Sequence, residues 1–213
     1  MHIALIGATG FVGTALLNEL LQRGHRVTAL ARDPAKLPLR EGLTVVQANA
    51  TDAAQVAQAV RGVDAVASAY NPGWTHPDLH DEFLRGSRAI TAGVKAAGVQ
   101  RLLVVGGAGS LYVAPGVQLV DTPQFPAEWK NGALAAREAL NLLRQESTLQ
   151  WTFLSPAILL EPGERTCHYR LGTESPLMNG DQPGKISVAD LAVAIVDELE
   201  APRHLQQRFT VAY

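Results

Sequence analysis

Three glycines near the start of the chain have the spacing of a phosphate-binding turn. Gly7, Gly10 and Gly13 follow four apolar residues, 3–6, and precede an amphipathic run rich in leucine. Glycine permits a sharp turn off a strand, close approach of the backbone to a pyrophosphate, and tight packing of helix on strand. The helix N-terminus adds free N–H groups and partial positive charge. The predicted dinucleotide-binding residues here are Gly7, Thr9, Gly10, Phe11, Val12 and Gly13.

The spacing G-x-x-G-x-x-G differs from the G-x-G-x-x-G of most dehydrogenases, and a purely structural turn is the alternative interpretation. The context favours a cofactor site, because a predicted strand stands before the glycines and a predicted helix after them.

The residues after the second predicted strand, 26–31, indicate which nicotinamide dinucleotide binds. An acidic residue at this place binds the 2′-hydroxyl of NAD, whereas an arginine accommodates the 2′-phosphate of NADP. Arg32 comes first, and its planar guanidinium suits phosphate, while Asp33 begins a turn with Pro34. We therefore predict a preference for NADPH over NAD. The alternative is that Arg32 is a solvated loop charge.

Further candidate cofactor residues stand at the ends of later strands. Asp52 follows the strand predicted over 43–48, where it caps the next helix, lies beside the adenine, or does both. Ligands of open α/β sheets bind beyond the carboxyl ends of the strands. The corresponding positions are Ser68, Ala69, Tyr70, Gly106, Gly107, Ser155, Pro156 and Ala157.

Aromatic residues predict a site for a flat substrate. Tyr70 and Trp74 flank the turn at Pro72 and Gly73, where they could stack on a substrate or the nicotinamide, or simply pack the loop. Trp129 lies near the start of a helix predicted over 127–145. The predicted substrate residues are Tyr70, Trp74, Ser110 and Trp129.

Few side chains at this edge could serve in proton transfer. Ser110 is the nearest hydroxyl to the expected place of hydride transfer, although it could equally cap a turn. Ser110, Tyr70 and Lys130 are the catalytic candidates. His76 and His80 have helical spacing but no evident third ligand, so no metal site is predicted.

The elements that position these residues alternate between strands and helices. This order predicts an α/β fold, a Rossmann-type doubly wound parallel β-sheet with helices on both faces, formed by a single domain over 1–213. Residues 111–126 contain three prolines and are predicted to be an active-site loop. The segment from about 158 to 185, rich in proline and glycine, is predicted to form a small irregular lid beside the substrate. Cys167 and His168 lie in it, and we expect both to face solvent.

Composition limits the classes of partner. The 213 residues are 47% hydrophobic and 18% charged, with a net charge of −2, which gives no reason to expect binding to nucleic acid or a membrane surface. The single cysteine fits a reducing compartment. A strand that begins at residue 3 leaves no room for a leader. We therefore expect a cytoplasmic monomer or homodimer.

The whole pattern resembles the atypical short-chain dehydrogenase/reductase superfamily, and within it the small NADH-flavin reductases, which are relatives of biliverdin/flavin reductase and of NmrA-like proteins. The resemblance implies a nicotinamide cofactor, one Rossmann-type domain and reduction of a flavin or similar conjugated acceptor. The segments that carry it are Gly7-Ala-Thr-Gly-Phe-Val-Gly13, Ala31-Arg-Asp-Pro34, Ala69-Tyr-Asn-Pro-Gly-Trp74, Leu103-Val-Val-Gly-Gly-Ala-Gly-Ser110, Trp151-Thr-Phe-Leu-Ser-Pro156 and Ile186-Ser-Val-Ala-Asp-Leu191.

Two departures from related families bear on the chemistry. Short-chain dehydrogenases that act on alcohols use Tyr-x-x-x-Lys, and no tyrosine of this chain is followed by lysine four places later. The histidine that can follow the proline after the sixth strand in biliverdin/flavin reductases is replaced by Ala157. Hydride transfer to a flavin or quinone does not require the tyrosine–lysine pair, because the cofactor carries the chemistry.

The sequence thus predicts an NAD(P)H-dependent reductase of a flavin, quinone or similar acceptor. The alternative is a non-catalytic redox sensor of the NmrA kind, which binds the dinucleotide and reports to a protein partner. An epimerase or isomerase is a third possibility, disfavoured by the missing acid/base pair.

Overall fold

A computed structural model describes all 213 residues of the chain. Its fourteen strands are β1 (His2–Ile6), β2 (Arg26–Ala31), β3 (Leu43–Gln47), β4 (Ala65–Ser68), β5 (Arg101–Val105), β6 (Tyr112–Ala114), β7 (Val117–Gln118), β8 (Gln150–Ser155), β9 (Leu159–Glu161), β10 (Arg170–Gly172), β11 (Met178–Asn179), β12 (Gln182–Pro183), β13 (Lys185–Ser187) and β14 (Gln207–Ala212). The helices are α1 (Phe11–Gln22), α2 (Ala53–Ala59), α3 (Leu79–Ala96), α4 (Ala127–Leu143) and α5 (Val188–Glu200).

Eight strands form the central sheet, in the order β3-β2-β1-β4-β5-β8-β14-β10. Seven of them run parallel, and only β10 is antiparallel to its neighbour β14. The chain moves outward from β1 to β3 on one side and from β4 onward on the other. The strand order therefore reverses between β1 and β4, which is where open α/β sheets bind ligands.

Helices cover both faces of the sheet and enclose two apolar cores. One core packs α1 and α5 against the sheet, with Leu16, Leu20 and Ile195 fully buried. The other packs α2, α3 and α4 against the opposite face, around Val56 and Ile90. The apolar runs in the strands are thus buried from both sides, as a parallel sheet requires. The predicted α/β Rossmann-type fold is confirmed.

The segment 158–185 contains more regular structure than its composition predicts. Its strand β10 pairs antiparallel with β14 and forms one edge of the main sheet, while β9 pairs with β13 and β11 with β12. Strands of two or three residues are too short to show an alternating pattern in the sequence. Residues 111–126 likewise contain the short hairpin of β6 and β7.

Buried polar contacts fasten the segment 158–185 to the helices. Arg165 donates to the carboxylate of Glu19 on α1, at 2.7 and 2.9 Å. The carboxylate of Asp190 on α5 accepts hydrogen bonds from Thr166, Cys167 and the hydroxyl of Tyr213. This part of the segment is therefore held against the body of the molecule. No helix is long and apolar enough to cross a bilayer.

Candidate functional site

Two of the three glycines in the first turn are required by the packing of the protein itself. Gly7 has a φ of +84°, and a Cβ there would lie 2.4 Å from the carbonyl oxygen of Ala69. A Cβ on Gly13 would lie 1.9 Å from the carbonyl oxygen of Gly7. These contacts hold the β1–α1 turn against the end of β4, so a side chain at either position would force the backbone apart.

Gly10 has no such internal reason to be glycine. A Cβ there would meet only the carbonyl oxygen of Gly7, at 3.4 Å, which is an ordinary contact. The residue stands at the N-cap of α1 without a capping side chain, and the first turn of the helix contains no acidic residue. The absent side chain leaves the backbone open to close approach from outside.

The N-terminus of α1 has the features of an anion site. No group of the chain accepts a hydrogen bond from the amide N–H of Phe11, Val12 or Gly13. Thr9 is exposed, and Phe11 is 52% exposed although it is a large apolar residue. Free N–H groups and the positive end of the helix dipole suit a pyrophosphate. The glycine turn therefore fits a dinucleotide.

The tip of β2 presents Arg32 to solvent. Its side chain is exposed and forms no ion pair, and its backbone oxygen accepts from Gln47 Nε2 at 3.3 Å. Asp33 is also exposed, and its Oδ1 accepts from the N–H of Ala35 at 3.2 Å. Of the two neighbouring charges, the guanidinium of Arg32 has no partner in the chain, whereas one carboxylate oxygen of Asp33 is engaged by the turn.

Asp52 caps α2. Its carboxylate accepts from the N–H groups of Ala54 and Gln55 and from the side chain of Gln55, at 2.9 to 3.1 Å. The hydrogen bond from the Gln55 N–H is the largest contribution that lowers the pKa of this carboxyl. The capping role is thus established, whereas a role beside the adenine stays a prediction.

Tyr70 turns toward α3. Its hydroxyl donates to the backbone oxygen of Glu82 at 3.2 Å, and its ring packs where a Cβ on Gly86 would stand. Burial and the nearby charge of Glu82 raise the pKa of Tyr70 to about 12. The phenol therefore keeps its proton at physiological pH. Its hydrogen bond to α3 competes with the predicted role in catalysis, which stays a prediction.

Ser68 and Tyr70 also form one end of a cavity of about 290 Å³ between α3 and α4. Ser68 is buried, and its hydroxyl oxygen lies 3.4 Å from the N–H of Tyr70. The rest of the cavity is largely apolar, with walls formed by Phe83, Ile90, Val104, Ala139, Leu142 and Leu143. After the end of β4, the ring of Tyr70 therefore packs against α3. The preceding residue, half-buried Ala69, contacts the glycine turn at Gly7.

The two glycines after β5 have different reasons for lacking a side chain. A Cβ on Gly106 would lie 1.9 Å from the ring of Phe153, so internal packing requires glycine. A Cβ on Gly107 would meet only Ala136, at 3.8 Å. Only Gly107 is therefore free of an internal constraint, and the sequence gives no sign of this difference.

Ser110 is buried, with 2% of its surface exposed, in the turn that follows β5. Its backbone oxygen and its hydroxyl oxygen both accept from Nη1 of Arg208, at 2.8 and 3.0 Å. Sequence analysis missed Arg208. A charged residue in the predicted terminal strand, just before Phe209, is the signal that could have found it, because a strand in the interior rarely carries an unpaired charge.

The end of β8 contains a buried hydroxyl without a partner. Ser155, Pro156 and Ala157 are all buried. Ser155 is paired in register with Thr210 of β14, and neither Ser155 Oγ nor Thr210 Oγ1 has a hydrogen-bond partner in the chain. Orphaned polar atoms are uncommon in protein interiors. Two of them at the carboxyl end of the sheet fit a polar ligand at this place.

Trp74 and Trp129, two of the four predicted substrate residues, lie in contact, whereas Tyr70 packs against α3. Their ring centroids are 4.8 Å apart with an interplanar angle of 80°, and the side chains are 52% and 45% exposed. Trp74 packs where a Cβ on Gly132 would stand. Lys130, beside Trp129, is exposed and forms no ion pair. The pair forms a half-exposed aromatic edge on the start of α4.

The remaining chemically capable side chains are not grouped. His76 accepts from the N–H of Asp78, and His80 lies near Asp81 and Glu138. The structure contains no group of three or more side chains with the spacing of metal ligands. Cys167 and His168 are exposed, as predicted.

A family model described as NAD(P)H-binding matches residues 7–202, which is most of the chain. The chain belongs to the NAD(P)H-binding family. The match begins at Gly7, the first glycine of the turn, and extends through α5. Membership of this family shows that the chain binds a nicotinamide dinucleotide.

Full-length relatives of this NAD(P)H-binding protein are known. It is 40% identical to the uncharacterized protein YwnB of Bacillus subtilis (strain 168), and the match covers 99% of this chain and 98% of that protein. A candidate epimerase from Bacteroides thetaiotaomicron is 45% identical, with a TM-score of 0.93 and coverage of 100% and 96%. A candidate NADH-flavin reductase from Streptococcus pneumoniae TIGR4 is 36% identical, with a TM-score of 0.87 and coverage of 100% and 99%. The predicted membership of the atypical short-chain dehydrogenase/reductase superfamily is confirmed.

Proposed function

We propose that this protein is an NADPH-dependent reductase of a flat conjugated acceptor, a flavin or a quinone. The observation that carries the proposal is the open glycine turn beside an aromatic edge, in a chain without the Tyr-x-x-x-Lys pair. The nicotinamide supplies the hydride when it is bound. The protein binds the two partners, orients them and excludes water between them.

The glycine turn and the strand ends would hold the cofactor. Backbone N–H groups at the start of α1 would bind the pyrophosphate, and Arg32 would bind the 2′-phosphate of NADPH. Gly107 offers an open stretch of backbone, and Ser155 a buried hydroxyl without a partner, toward the nicotinamide end. One carboxylate oxygen of Asp33 is engaged by its own turn, which favours Arg32 as the residue that recognises the adenosine ribose.

The aromatic edge would hold the acceptor. Trp74 and Trp129 each present about half of their surface, and a flat ring system can stack on either face. Uptake of hydride by a flavin or quinone needs only one further proton, which solvent can supply. Lys130 is the exposed charged donor nearest to this edge in sequence. The missing tyrosine–lysine pair is then no obstacle.

Two alternatives are supported by particular observations. The hydroxyl of Tyr70 donates inside the chain and is not free for proton transfer, which supports a non-catalytic sensor that binds the dinucleotide and a protein partner. The similarity to a candidate epimerase supports an epimerase, against which stands the missing acid/base pair. The three functions differ in one measurable respect, since only a reductase consumes NADPH in proportion to acceptor.

The test is the oxidation of NADPH and NADH, followed by absorbance, with FMN, FAD, riboflavin and small quinones as acceptors. Stoichiometric consumption that depends on the protein is expected, with NADPH preferred. The Gly10→Ala variant is the control for protein-dependent turnover, because a methyl group at that position obstructs the phosphate site without an internal clash. Tight binding of NADPH without turnover on any acceptor would instead support the sensor.

A further inference from the structure

Arg208 is a buried cation that no predicted function includes. It lies on β14, and its side chain has no exposed surface. Nη1 donates to the backbone oxygen and the hydroxyl oxygen of Ser110, while Nη2 donates to the backbone oxygen and the carboxylate of Glu174. Its Nε has no partner. A charged group this deeply buried is costly unless its contacts serve the fold or the site.

The contact with Ser110 restricts the direction of its hydroxyl. Nη1 of Arg208 occupies a lone pair of Ser110 Oγ, and a guanidinium cannot accept a hydrogen bond in return. The proton of the serine must therefore point away from Arg208, and no group of the chain accepts it. Ser110 thus keeps its proton available for donation, in the turn that follows β5, at the carboxyl end of the sheet.

The charge of Arg208 is only partly neutralised. Its counter-ion Glu174 is 45% exposed and is shared with Arg144, which donates to the same carboxylate at 2.9 and 3.1 Å. Two arginines and one carboxylate leave a net charge of +1 in this cluster. The N–H of Tyr112 donates to the backbone oxygen of Glu174 at 2.8 Å, which anchors the backbone of Glu174 beside Arg208.

The other buried arginine provides a comparison. Arg101 stands at the beginning of β5, at the opposite edge of the sheet from the glycine turn. Its partner Glu198 is itself only 4% exposed, so this pair is a neutral buried unit. Arg101 is therefore about as deeply buried as Arg208, but its ion pair has no net charge. It also lies at the edge of the sheet opposite to the glycine turn.

We propose that Arg208 is a positioning residue for the acceptor half of the site. It holds the hydroxyl of Ser110 as a donor, and it keeps a buried positive charge behind that hydroxyl. When the acceptor takes up hydride, it gains two electrons and one proton, and thus one negative charge until solvent supplies a second proton. A fixed charge in a region of low dielectric stabilises that anion. This inference rests on the proposed reductase function.

The first test measures binding rather than turnover. Oxidised and reduced riboflavin are titrated anaerobically into the NADP⁺ complex, with quenching of tryptophan fluorescence as the signal. Riboflavin is the probe because it has no phosphate of its own. In Arg208→Met we expect the preference for reduced over oxidised riboflavin to fall roughly tenfold, about the effect of removing one charged partner. An unchanged preference would overturn the inference.

A second variant should change the preference for reduced riboflavin in the opposite direction, with little risk of unfolding the protein. Glu174→Gln removes the counter-ion at a half-exposed position and leaves an oxygen that can still accept from Arg208. The preference for reduced riboflavin should then rise. Arg101→Met is the matched control, for which we expect lower stability and the wild-type preference. A loss of preference in Arg101→Met as well would assign the effect to general destabilisation and contradict the inference.

Kinetics test whether Arg208 acts through Ser110. We expect kcat with riboflavin to fall roughly tenfold to a hundredfold in Arg208→Met, with little change in the Kd of NADPH, and to be partly restored in Arg208→Lys. The double variant with Ser110→Ala should be no slower than Arg208→Met alone, because the two residues act as one unit. Independent, multiplying effects would contradict the link. A wild-type protein without turnover would overturn the proposed reductase, while the riboflavin titrations would still decide the role of Arg208.

Discussion

The indole rings of Trp74 and Trp129 meet edge to face, with centroids 4.8 Å apart and planes at 80°. Trp74 comes from the loop after β4 and Trp129 from the start of α4, so the contact joins this loop to the first turn of the helix. An aromatic pair of this geometry is worth about 0.5–1.5 kcal/mol beyond its buried area. It is the only place in the molecule where two half-exposed tryptophans meet.

Replacing either tryptophan of this pair is expected to weaken acceptor binding. In Trp74→Ala and in Trp129→Ala, KM for FMN should rise roughly tenfold, which corresponds to about 1.4 kcal/mol of lost stacking. The Kd of NADPH should stay within about twofold. Trp151→Phe is the control, because Trp151 is buried at the other end of β8 and donates to Glu146. Steady-state kinetics with an unchanged KM in both alanine variants would exclude this edge as the acceptor site.

The glycine turn allows stability and cofactor binding to be separated. Gly13→Ala should cost about 3 kcal/mol of unfolding free energy, because its Cβ would overlap the carbonyl oxygen of Gly7. Gly10→Ala should cost less than about 1 kcal/mol, yet weaken NADPH binding at least roughly tenfold by crowding the pyrophosphate. Urea unfolding and fluorescence titration measure the two quantities. Equal loss of stability in the two variants would contradict the different roles of these glycines.

Arg32 should determine the choice of nicotinamide cofactor. Arg32→Ala is expected to weaken NADPH binding roughly tenfold to a hundredfold, the usual value of a charged hydrogen bond, and to leave NADH binding nearly unchanged. Asp33→Ala is the adjacent control, since its carboxylate bonds only to the turn that contains Ala35. Titration of both variants with both cofactors decides the matter. An equal loss for NADPH and NADH would mean that Arg32 has a structural role.

Asp190 should make the stability of the fold depend on pH. Burial opposes its charged form, but hydrogen bonds from Thr166, Cys167 and Tyr213 outweigh this effect and hold its pKa below the usual range. A lowered folded-state pKa stabilises the protein above the unfolded pKa, near 4, and this stabilisation disappears as the pH falls through the folded value. Asp190→Asn should therefore lower the unfolding free energy by about 2–3 kcal/mol at pH 7.

The same variant supplies its own check. The difference between Asp190→Asn and wild type should shrink when urea unfolding is repeated at about pH 3, because the wild-type carboxyl then approaches its protonated form. If the difference in unfolding free energy were the same at both pH values, the charge of Asp190 would not stabilise the attachment of the segment 158–185.

Much of the site could be predicted from the sequence because it depends on local chemistry. The turn at Gly7 needs a positive φ, and the capping of α2 by Asp52 involves residues two and three places away. The strand and helix order follows from apolar periodicity within single segments, which is enough to specify a Rossmann-type sheet. The family match over residues 7–202 agrees with that reading.

Long-range contacts decided the rest. Whether Tyr70 faces a substrate or α3 depends on Gly86, and whether Ser110 is free depends on Arg208, which is 98 residues away. The three residues of β10 become an edge strand only because one side of β14 has no other strand to pair with. The sequence by itself determined the fold class, the glycine turn and the cofactor class, since each depends on neighbouring residues. The tertiary structure alone decided which buried charges and hydroxyls meet, because burial and pairing are properties of packed elements rather than of any one segment.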